Sequence, residues 1–306
     1  MTLSEDNFYN KLFSKLPPFT EEIAVPPGDD CAAITAGNGL LTLYTTDQVV
    51  ADIHYLKSRQ PPVSPQTIAH KLLARNLSDI AAMGGNPTYC LASIVQQDGE
   101  PWLDSFFDGL LQTAEKYNVF LIGGDIVSAA NYESSSLTLI GTVAEKNVCT
   151  RKGAEAGDIL FATGEFGQSL QTDHHLNFQP RCEEGQWLAQ HSYPNAMIDV
   201  SDGLLLDAYR MCCASDVSLQ LDTTAIPFRN ARTTLKQALT DGEDYELLFS
   251  VPPHKAKTLE KSWPFDTVPL TKIGTFSKKS KEGARITDPE KHELAPADEL
   301  GYEQKI

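Results

Sequence analysis

Aspartate residues stand beside glycine, serine or threonine in five short segments that are far apart in the chain. The segments are Gly28-Asp29-Asp30, Thr45-Thr46-Asp47, Asn76-Leu77-Ser78-Asp79, Gly123-Gly124-Asp125 and Asp199-Val200-Ser201-Asp202-Gly203. Short carboxylates suit hard cations, which take oxygen ligands, and Mg²⁺ usually keeps phosphate oxygens and waters in its shell. Carboxylates that converge on one site repel each other unless a cation neutralises them. The five segments together therefore predict a site for divalent metal ions.

Each segment alone has a simpler explanation. A single Gly-Asp or Ser-Asp-Gly is usually a turn or a helix cap, and Asp79 could pair with Arg75 one helical turn earlier. The occurrence of all five in one chain favours the metal site. An EF-hand is excluded, because the sequence lacks the loop of alternating acidic residues that ends in glutamate.

Several familiar motifs of nucleotide and nucleophile chemistry are missing from the sequence. It has no Walker-type phosphate loop, no protein-kinase signature set and no G-x-S-x-G elbow, and Gly164–Gly167 is only a weak glycine loop. His54 could touch a substrate or lie on the surface. Arg151 could clamp a phosphate or be an ordinary surface arginine. We assign no role to the pair His174-His175.

The elements that must position these residues mix strands and helices along the whole chain. Ser64-Pro65 predicts a helix start and Gly84-Gly85 its end, with Asp79 inside it. Val119–Ile122 predicts a strand that runs into Gly123-Gly124-Asp125. Further strands are expected at Leu40–Thr46, Leu137–Val143, Ile159–Thr163, Ala196–Val200, Val217–Leu221 and Tyr245–Val251, and helices at Pro101–Ala114 and Gly203–Ala214.

A polar stretch divides this pattern. Glu145–Asp158 contains glycines and the basic pair Arg151-Lys152, so we expect a change of folding unit there. The chain of 306 residues has room for about two average domains. We therefore expect two α+β domains, residues 1–147 and 148–306.

The composition restricts the partners. With 25 Lys+Arg against 41 Asp+Glu, the formal charge is −16, which argues against binding to nucleic acid or anionic membrane. Neither a membrane-spanning run nor a signal peptide is recognisable. The six cysteines are scattered without zinc spacing, which favours free thiols and a cytoplasmic protein.

Taken in order, the motifs resemble the thiamine-monophosphate kinase family, which belongs to a superfamily with aminoimidazole ribonucleotide synthetase. The matching strings are Gly28–Ala32 (GDDCA), Thr45–Asp47 (TTD), His54-Tyr55, Asn76–Gly84 (NLSDIAAMG), Leu121–Asp125 (LIGGD), Arg151–Ala154 (RKGA), Gly157-Asp158, Ile198–Leu204 (IDVSDGL) and Gly242–Leu247 (GEDYEL). The resemblance implies a two-domain α+β fold of the aminoimidazole ribonucleotide synthetase type. Its N-terminal domain pairs with a second copy in a homodimer, and ATP binds between the domains.

The resemblance also implies roles for particular residues. Mg²⁺ ions would be held by Asp30, Thr45, Thr46, Asp47, Asp79, Asp125, Asp199 and Asp202. ATP would contact Gly124, Asp125, Arg151 and Ser201, and thiamine monophosphate would contact His54, Glu243 and Tyr302. The implied reaction is direct in-line transfer of the γ-phosphate of ATP without a phosphoenzyme, at a site rich in acids with few basic residues.

The sequence departs from the family pattern in several places. Ile126 stands where the family has threonine after Gly-Gly-Asp, Gln168 replaces the aspartate of Gly-Asp-Ser, and Asp241 replaces the first glycine of Gly-Gly-Glu-Asp. The loop after Ser169 is short, and the tail Gly301–Ile306 (GYEQKI) differs from the usual ending. Two alternatives follow: another ATP-using enzyme of the superfamily, or a non-catalytic relative that binds nucleotide or metal.

Overall fold

The computed structural model describes residues 5–281, 283–294 and 301–302, which contain two six-stranded sheets and the helices packed on them. The first sheet contains β1 (Ile23–Val25), β2 (Ala32–Gly37), β3 (Leu40–Val50), β4 (Asn86–Gln96), β5 (Phe120–Ser128) and β6 (Ser134–Ala144). The second contains β7 (Ile159–Thr163), β8 (Ala196–Asp199), β9 (Val217–Leu221), β10 (Leu247–Val251), β11 (Leu270–Lys278) and β12 (Ile286–Thr287). The helices are α1 (Glu5–Phe13), α2 (Pro65–Ala82), α3 (Glu100–Lys116), α4 (His174–Asn177), α5 (Cys182–Gln190), α6 (Leu204–Ser215), α7 (Leu235–Thr240) and α8 (Pro253–Ser262), with a 3₁₀ helix at Glu145–Asn147. The predicted α+β class is confirmed.

The first sheet has the strand order β1-β2-β3-β6-β4-β5, and all its neighbours are antiparallel except β4 and β5. β3 and β6 pair along their full lengths, from Leu40 opposite Ala144 to Val50 opposite Ser134. Buried and partly buried side chains alternate along β6, as expected for a sheet in which one face is more fully covered than the other. Helix α2 packs on the more fully covered face.

The glycines of β5 lie elsewhere than the sequence indicates. Gly123-Gly124-Asp125 are inside the strand and not beyond its end, because pairing with β4 continues past them. A Cβ at Gly124 would lie 1.8 Å from the carbonyl oxygen of Ala92, so glycine is required for the close approach of these two backbones. Asp47 likewise lies within β3.

The second sheet has the order β12-β9-β11-β7-β10-β8 and is antiparallel except for β12 beside β9. Its core contains Ile198, Leu248 and Ile273 from the strands together with Leu205 from α6. The aspartate motif that begins at Asp199 therefore lies between β8, a buried strand at the edge of this sheet, and α6.

Helix α2 connects the two sheets. Ser64 caps it by accepting a hydrogen bond from the Thr67 N–H at 3.2 Å, and Pro65 occupies its first turn, so the predicted start is confirmed. The helix packs on β3 and β6 and also against α4, α5 and β8. The contact with α5 is close, because a Cβ at Gly185 would lie 2.2 Å from the carbonyl oxygen of Ala81.

The chain changes from the first sheet to the second within Glu145–Asp158. The division into residues 1–147 and 148–306 stays a prediction, since one hydrophobic core continues from α2 into the second sheet through Phe161 and Phe249. Within the described ranges, no helix is long and apolar enough to cross a membrane. The six cysteines are free, and only Cys213 is exposed.

Candidate active site

A cavity of about 430 Å³ is lined by residues from both halves of the chain. Twelve of the fourteen residues selected from the sequence line it: Asp30, Thr45, Thr46, Asp47, His54, Asp79, Arg151, Asp199, Ser201, Asp202, Glu243 and Tyr302. The other two, Gly124 and Asp125, do not. The fold thus gathers in one place motifs that are up to about 270 residues apart in the sequence.

Three carboxylates form the centre of this cavity. Oxygen atoms of Asp30, Asp79 and Asp199 lie within 4.8 Å of one another. Asp30 precedes β2, Asp79 lies on α2, and Asp199 ends β8. The Ser78 hydroxyl donates to Asp199 Oδ2 at 2.7 Å, and the Thr45 hydroxyl donates to Asp79. Asp30 Oδ2 is buried and has no hydrogen-bond partner within the part of the chain that the structure describes, which is the situation of an oxygen suited to a metal ion.

The electrostatics of this cluster favour a cation. Burial, and then the charges of neighbouring aspartates, raise the pKa values of Asp79 and Asp199 well above the usual range. Burial followed by the charge of Asp30 raises the pKa of Asp29 to about 7. Carboxylates that resist ionisation for these reasons become ionised when a divalent cation binds. The donor set therefore fits Mg²⁺ in both chemistry and charge.

Three arginines counter part of this negative charge. Arg151 Nη2 lies 2.6 Å from Asp30 Oδ1, and Arg75 Nη2 lies 3.2 Å from Asp47 Oδ1. Arg210 Nη1 lies 2.5 Å from Asp202 Oδ2. Eight acidic residues line the cavity against these three arginines, in agreement with the predicted site rich in acids.

These ion pairs also settle two of the sequence-based alternatives. Arg151 is not an ordinary surface arginine, since its side chain is 22% exposed and directed at Asp30. The alternative pairing of Asp79 with Arg75 is likewise wrong, because Arg75 contacts Asp47 and Asp79 accepts from Thr45.

His54 and Glu243 form another part of the wall. His54 Nδ1 accepts a hydrogen bond from the Val50 N–H at 3.0 Å. Burial and the charge of Arg75 lower the pKa of His54 to about 4, so its ring is neutral and Nε2 carries the proton. Both oxygens of Glu243 accept from Lys71, at 3.0 and 2.7 Å. This end of the cavity thus offers an N–H donor and a carboxylate.

The tail reaches the same cavity. The Tyr302 N–H donates to the carbonyl oxygen of Asp202 at 2.8 Å, and the residue is 54% exposed. A Cβ at Gly301 would lie 2.4 Å from that same carbonyl oxygen, so glycine is needed before the tyrosine. The altered residues 303–306 lie outside the described residues.

Two of the departures from the family pattern contact each other. The Gln168 N–H donates to Asp241 Oδ2 at 3.0 Å, and Asp241 lines the cavity. Gln168, which stands where the family has an aspartate, is therefore adjacent to Asp241, which stands where the family has a glycine. Ile126 is 52% exposed on the edge strand β5, away from this cavity.

Gly124 and Asp125 lie far from the cluster because of the sheet order. β6 and β4 separate β5 from β3, and neighbouring strands lie about 4.8 Å apart, so β5 is about 14 Å from Asp47 within one chain. Asp125 on β5 is opposite Ser93 on β4, and the same row of side chains across the sheet continues to Gln48 on β3. Asp47 is adjacent to Gln48 in β3, so its side chain is on the other face of the sheet from that of Asp125. The sequence motif alone does not contain this information.

Four further residues near the site were not selected from the sequence: Lys71 and Arg210, which were not considered, Arg75, considered only as a partner of Asp79, and His175, which was given no role. Lys71 Nζ lies 2.9 Å from His175 Nδ1, which gives the pair His174-His175 a structural position that the sequence did not indicate. Their positions in amphipathic helices or a polar loop look like those of surface residues, and only the folded contacts distinguish them.

Comparison with known proteins identifies relatives over nearly the whole chain. Residues 28–144 match the model for the N-terminal domain of AIR synthase related proteins. The thiamine-monophosphate kinase of Haemophilus influenzae is 33% identical, with 91% of each chain covered, and that of Escherichia coli K12 is 32% identical, covering 90% of this chain and 91% of the relative. The solved structure of AaThiL complexed with AMPPCP and TMP has a TM-score of 0.80 at 25% identity and covers 96% of both chains. A HypE–HypF complex, at 14% identity and a TM-score of 0.70, shows the fold alone.

Proposed function

The chain belongs to the thiamine-monophosphate kinase family, and from this membership we propose how its cavity carries out the reaction. The chain is an ATP-dependent kinase that phosphorylates thiamine monophosphate. The acceptor is a phosphate monoester with a second pKa of about 6, so near pH 7 it is already largely dianionic and needs no general base. The transfer is direct and in line, without a phosphoenzyme. Catalysis of such a transfer consists of positioning the two substrates and neutralising their charge.

The carboxylate cluster supports the binding of several Mg²⁺ ions. The ligands would be Asp30, Thr45, Thr46, Asp47, Asp79, Asp199 and Asp202, together with Asp125 of a second copy of the chain. Bound Mg²⁺ would neutralise the phosphates of both substrates and the charge that develops between them. The partnerless Asp30 Oδ2 is the observation that carries this assignment, because a buried carboxylate oxygen without a donor is costly unless a cation satisfies it.

The polar groups beside the cluster would hold ATP. Arg151 offers a guanidinium that forms paired hydrogen bonds with phosphate oxygens, and Ser201 lies between Asp199 and Asp202 on the same wall. Gly124 and Asp125 would contact the nucleotide from the second copy.

His54, Glu243 and Tyr302 would hold thiamine monophosphate. The thiazolium of this substrate carries a positive charge, which the Glu243 carboxylate can pair, and its aromatic rings can stack on the partly exposed ring of Tyr302. The neutral His54 offers its Nε2–H as a donor.

A homodimer accounts for the position of Asp125. The uncovered face of the first sheet carries Tyr44, Tyr89, Leu91 and Phe120, which are 38%, 47%, 39% and 67% exposed. Exposed apolar groups of this size favour burial against another protein surface, and a second copy that covers this face would bring its own β5 towards the cavity. The motif Gly123-Gly124-Asp125 then acts across the interface.

Mixing two inactive variants tests this arrangement. Asp47→Asn and Asp125→Asn should each nearly abolish turnover as homodimers. If Asp125 acts across the interface, a mixed dimer contains one site with both changes and one intact site. Random exchange of equal amounts should then restore about a quarter of wild-type activity. No recovery, with mixed dimers demonstrated by mass spectrometry, would refute the shared site.

A cytoplasmic location is proposed from the free cysteines, which suit a reducing compartment. The charge of −16 supports partners that are small molecules, with neither nucleic acid nor membrane among them.

The reaction is tested by a coupled assay of ADP release. We expect release that requires both thiamine monophosphate and Mg²⁺, and that stops in EDTA. Equal ADP release with and without thiamine monophosphate would contradict the proposed acceptor. A phosphorylated Asp or His trapped during turnover would contradict direct transfer.

A further inference from the structure

The ammonium group of Lys71 lies buried behind the part of the cavity formed by His54 and Glu243. Lys71 is on α2 and is 0% exposed. Its Nζ donates to the main-chain oxygen of His54 at 2.9 Å and to Glu243 Oε2 at 2.7 Å, and it lies 2.9 Å from His175 Nδ1. The three N–H donors of the ammonium have acceptors in the His54 oxygen and the two oxygens of Glu243, so this buried cation is fully hydrogen-bonded, and the Nδ1–H of His175 is left to donate to Glu243 Oε2.

A lysine is an unusual choice at this position. Its neighbours Leu72 and Leu73 on α2 are also 0% exposed, so the helix enters an apolar interior here. Replacing a buried ion pair by apolar residues is often neutral or stabilising, which makes the pair weak support for a role in stability alone. The contacts of Lys71 suggest a different role, because two of its partners, His54 and Glu243, are residues that we assign to the substrate.

Glu243 is held in a constrained conformation. Its backbone has a φ of 54°, and its N–H donates to the Ser201 carbonyl oxygen at 2.7 Å. Its side chain remains 20% exposed towards the cavity. Burial would raise the pKa of Glu243, but the hydrogen bond from His175 and the charge of Lys71 outweigh burial and lower it to about 2. Glu243 therefore stays ionised while it faces the substrate.

We propose that Lys71 is a positioning residue for the cationic end of the substrate, acting through Glu243. The buried ammonium and His175 hold the Glu243 carboxylate in one orientation, so that its free lone pairs face the thiazolium of thiamine monophosphate. The same ammonium fixes the loop of His54 through its carbonyl oxygen. This proposal rests on the function proposed above and extends it to the selection of a cationic acceptor.

Substitution of Lys71 tests the proposal. Lys71→Met removes the charge at similar length, and we expect the Kd and the KM for thiamine monophosphate to rise by about tenfold or more. The KM for ATP should change by less than about twofold, since no ATP ligand contacts Lys71. Calorimetry without ATP measures the Kd, and steady-state kinetics measure both KM values. If Lys71→Met does not fold, Lys71→Gln, which retains a donor, is compared in the same way.

A matched control removes another cation, partly buried, that pairs with a carboxylate three residues after Glu243. Arg181 pairs with Glu246 at 2.6 Å and does not line the cavity. Arg181→Met should lower thermal stability without a selective effect on thiamine monophosphate. Equal increases in both KM values for Lys71→Met, as for a general loosening of the fold, would overturn the proposal.

A double-mutant cycle shows whether Lys71 acts through Glu243. Once Glu243→Gln has removed the carboxylate, Lys71→Met should cost little further affinity for thiamine monophosphate, so the two effects are far from additive. Additive effects would show that Lys71 acts independently and would overturn the proposal. Failure of the proposed function is distinguishable, because the wild-type protein would then not turn over thiamine monophosphate.

Discussion

The two ends of the cavity contain buried carboxylates in opposite electrostatic states. At the metal end, Asp79 and Asp199 have pKa values well above the usual range, because burial and neighbouring negative charges act in the same direction. At the other end, Glu243 is partly buried, with 20% of its side chain exposed, yet its pKa is lowered to about 2 by His175 and Lys71, which outweigh burial. The difference arises from the neighbours and not from the depth of burial.

This contrast indicates how the cavity distributes its charge. The fold supplies a complete counter-charge for Glu243 through Lys71, so this carboxylate is ready for a substrate before anything binds. The aspartate cluster has arginines at its edges, and among the described residues one of its oxygens, Asp30 Oδ2, has no hydrogen-bond partner. We therefore expect that end to take up cations from solution, whereas the Glu243 end should not need them.

The largest effect should come from the metal end. Asp199→Asn removes one charge from the cluster without changing the volume, and we expect kcat to fall by about a thousandfold or more, because the phosphates then lose a positioned counter-charge. Without Mg²⁺ the variant should melt at a higher temperature than wild type, since one repelling carboxylate is gone. Asp104→Asn, on the exposed face of α3, is the control. A variant with wild-type kcat would remove Asp199 from the ligand set.

An intermediate effect is expected at the tail. Tyr302→Ala should raise the KM for thiamine monophosphate by about tenfold, because it removes the ring that faces the cavity. The KM for ATP should change little, and Tyr302→Phe should behave like wild type. Steady-state kinetics with each substrate varied provide the measurement. An unchanged KM for thiamine monophosphate in Tyr302→Ala would show that the tail makes no contact with it.

The smallest effect concerns stability and pH. The pKa of Asp29 rises from 3.8 to about 7 on folding, because of burial and then the charge of Asp30. Between these values the folded protein binds a proton that the unfolded chain has lost, so stability falls as pH rises through this window. Mg²⁺ bound at the aspartate cluster should reduce this loss of stability, because it stabilises the ionised carboxylates.

Asp244 serves as an internal control for the predicted effect of Mg²⁺ on the pH dependence of stability. Burial also raises the pKa of Asp244 to about 7, but this residue lies outside the cavity, so its contribution should not respond to Mg²⁺. Melting temperatures measured from pH 5 to 8 with and without Mg²⁺ should therefore converge towards low pH and separate by several degrees at high pH. Parallel curves would mean that no cation binds at the cluster.

The sequence predicts those parts of the molecule that depend on local signals. The ends of α2 follow from Ser64-Pro65 and from Gly84-Gly85, and β9 has the predicted bounds Val217–Leu221. The aspartate cluster is also predictable, because aspartates beside small residues are visible in the sequence as a set.

Other parts depend on contacts that no local signal specifies. Asp125 is separated from Asp47 because β6 and β4 lie between their strands, and strand order is a property of the complete sheet. Lys71 looks like a surface lysine in an amphipathic helix until Glu243, 172 residues later, packs against it. Ion pairs that are buried between distant segments of the chain are therefore the contacts that the sequence predicts least well.

The close fit of α5 on α2 has a practical consequence for anyone who wishes to express the two halves as separate fragments. Gly84 and Gly185 allow the helices to touch, and Leu72 and Leu77 share one core with Phe161 and Phe249. A fragment that stops at residue 147 would leave this apolar side of α2 in water and would lose the partner of Lys71. Separate production of the halves should therefore give aggregation-prone material, although the polar stretch between them looks like a natural place to cut.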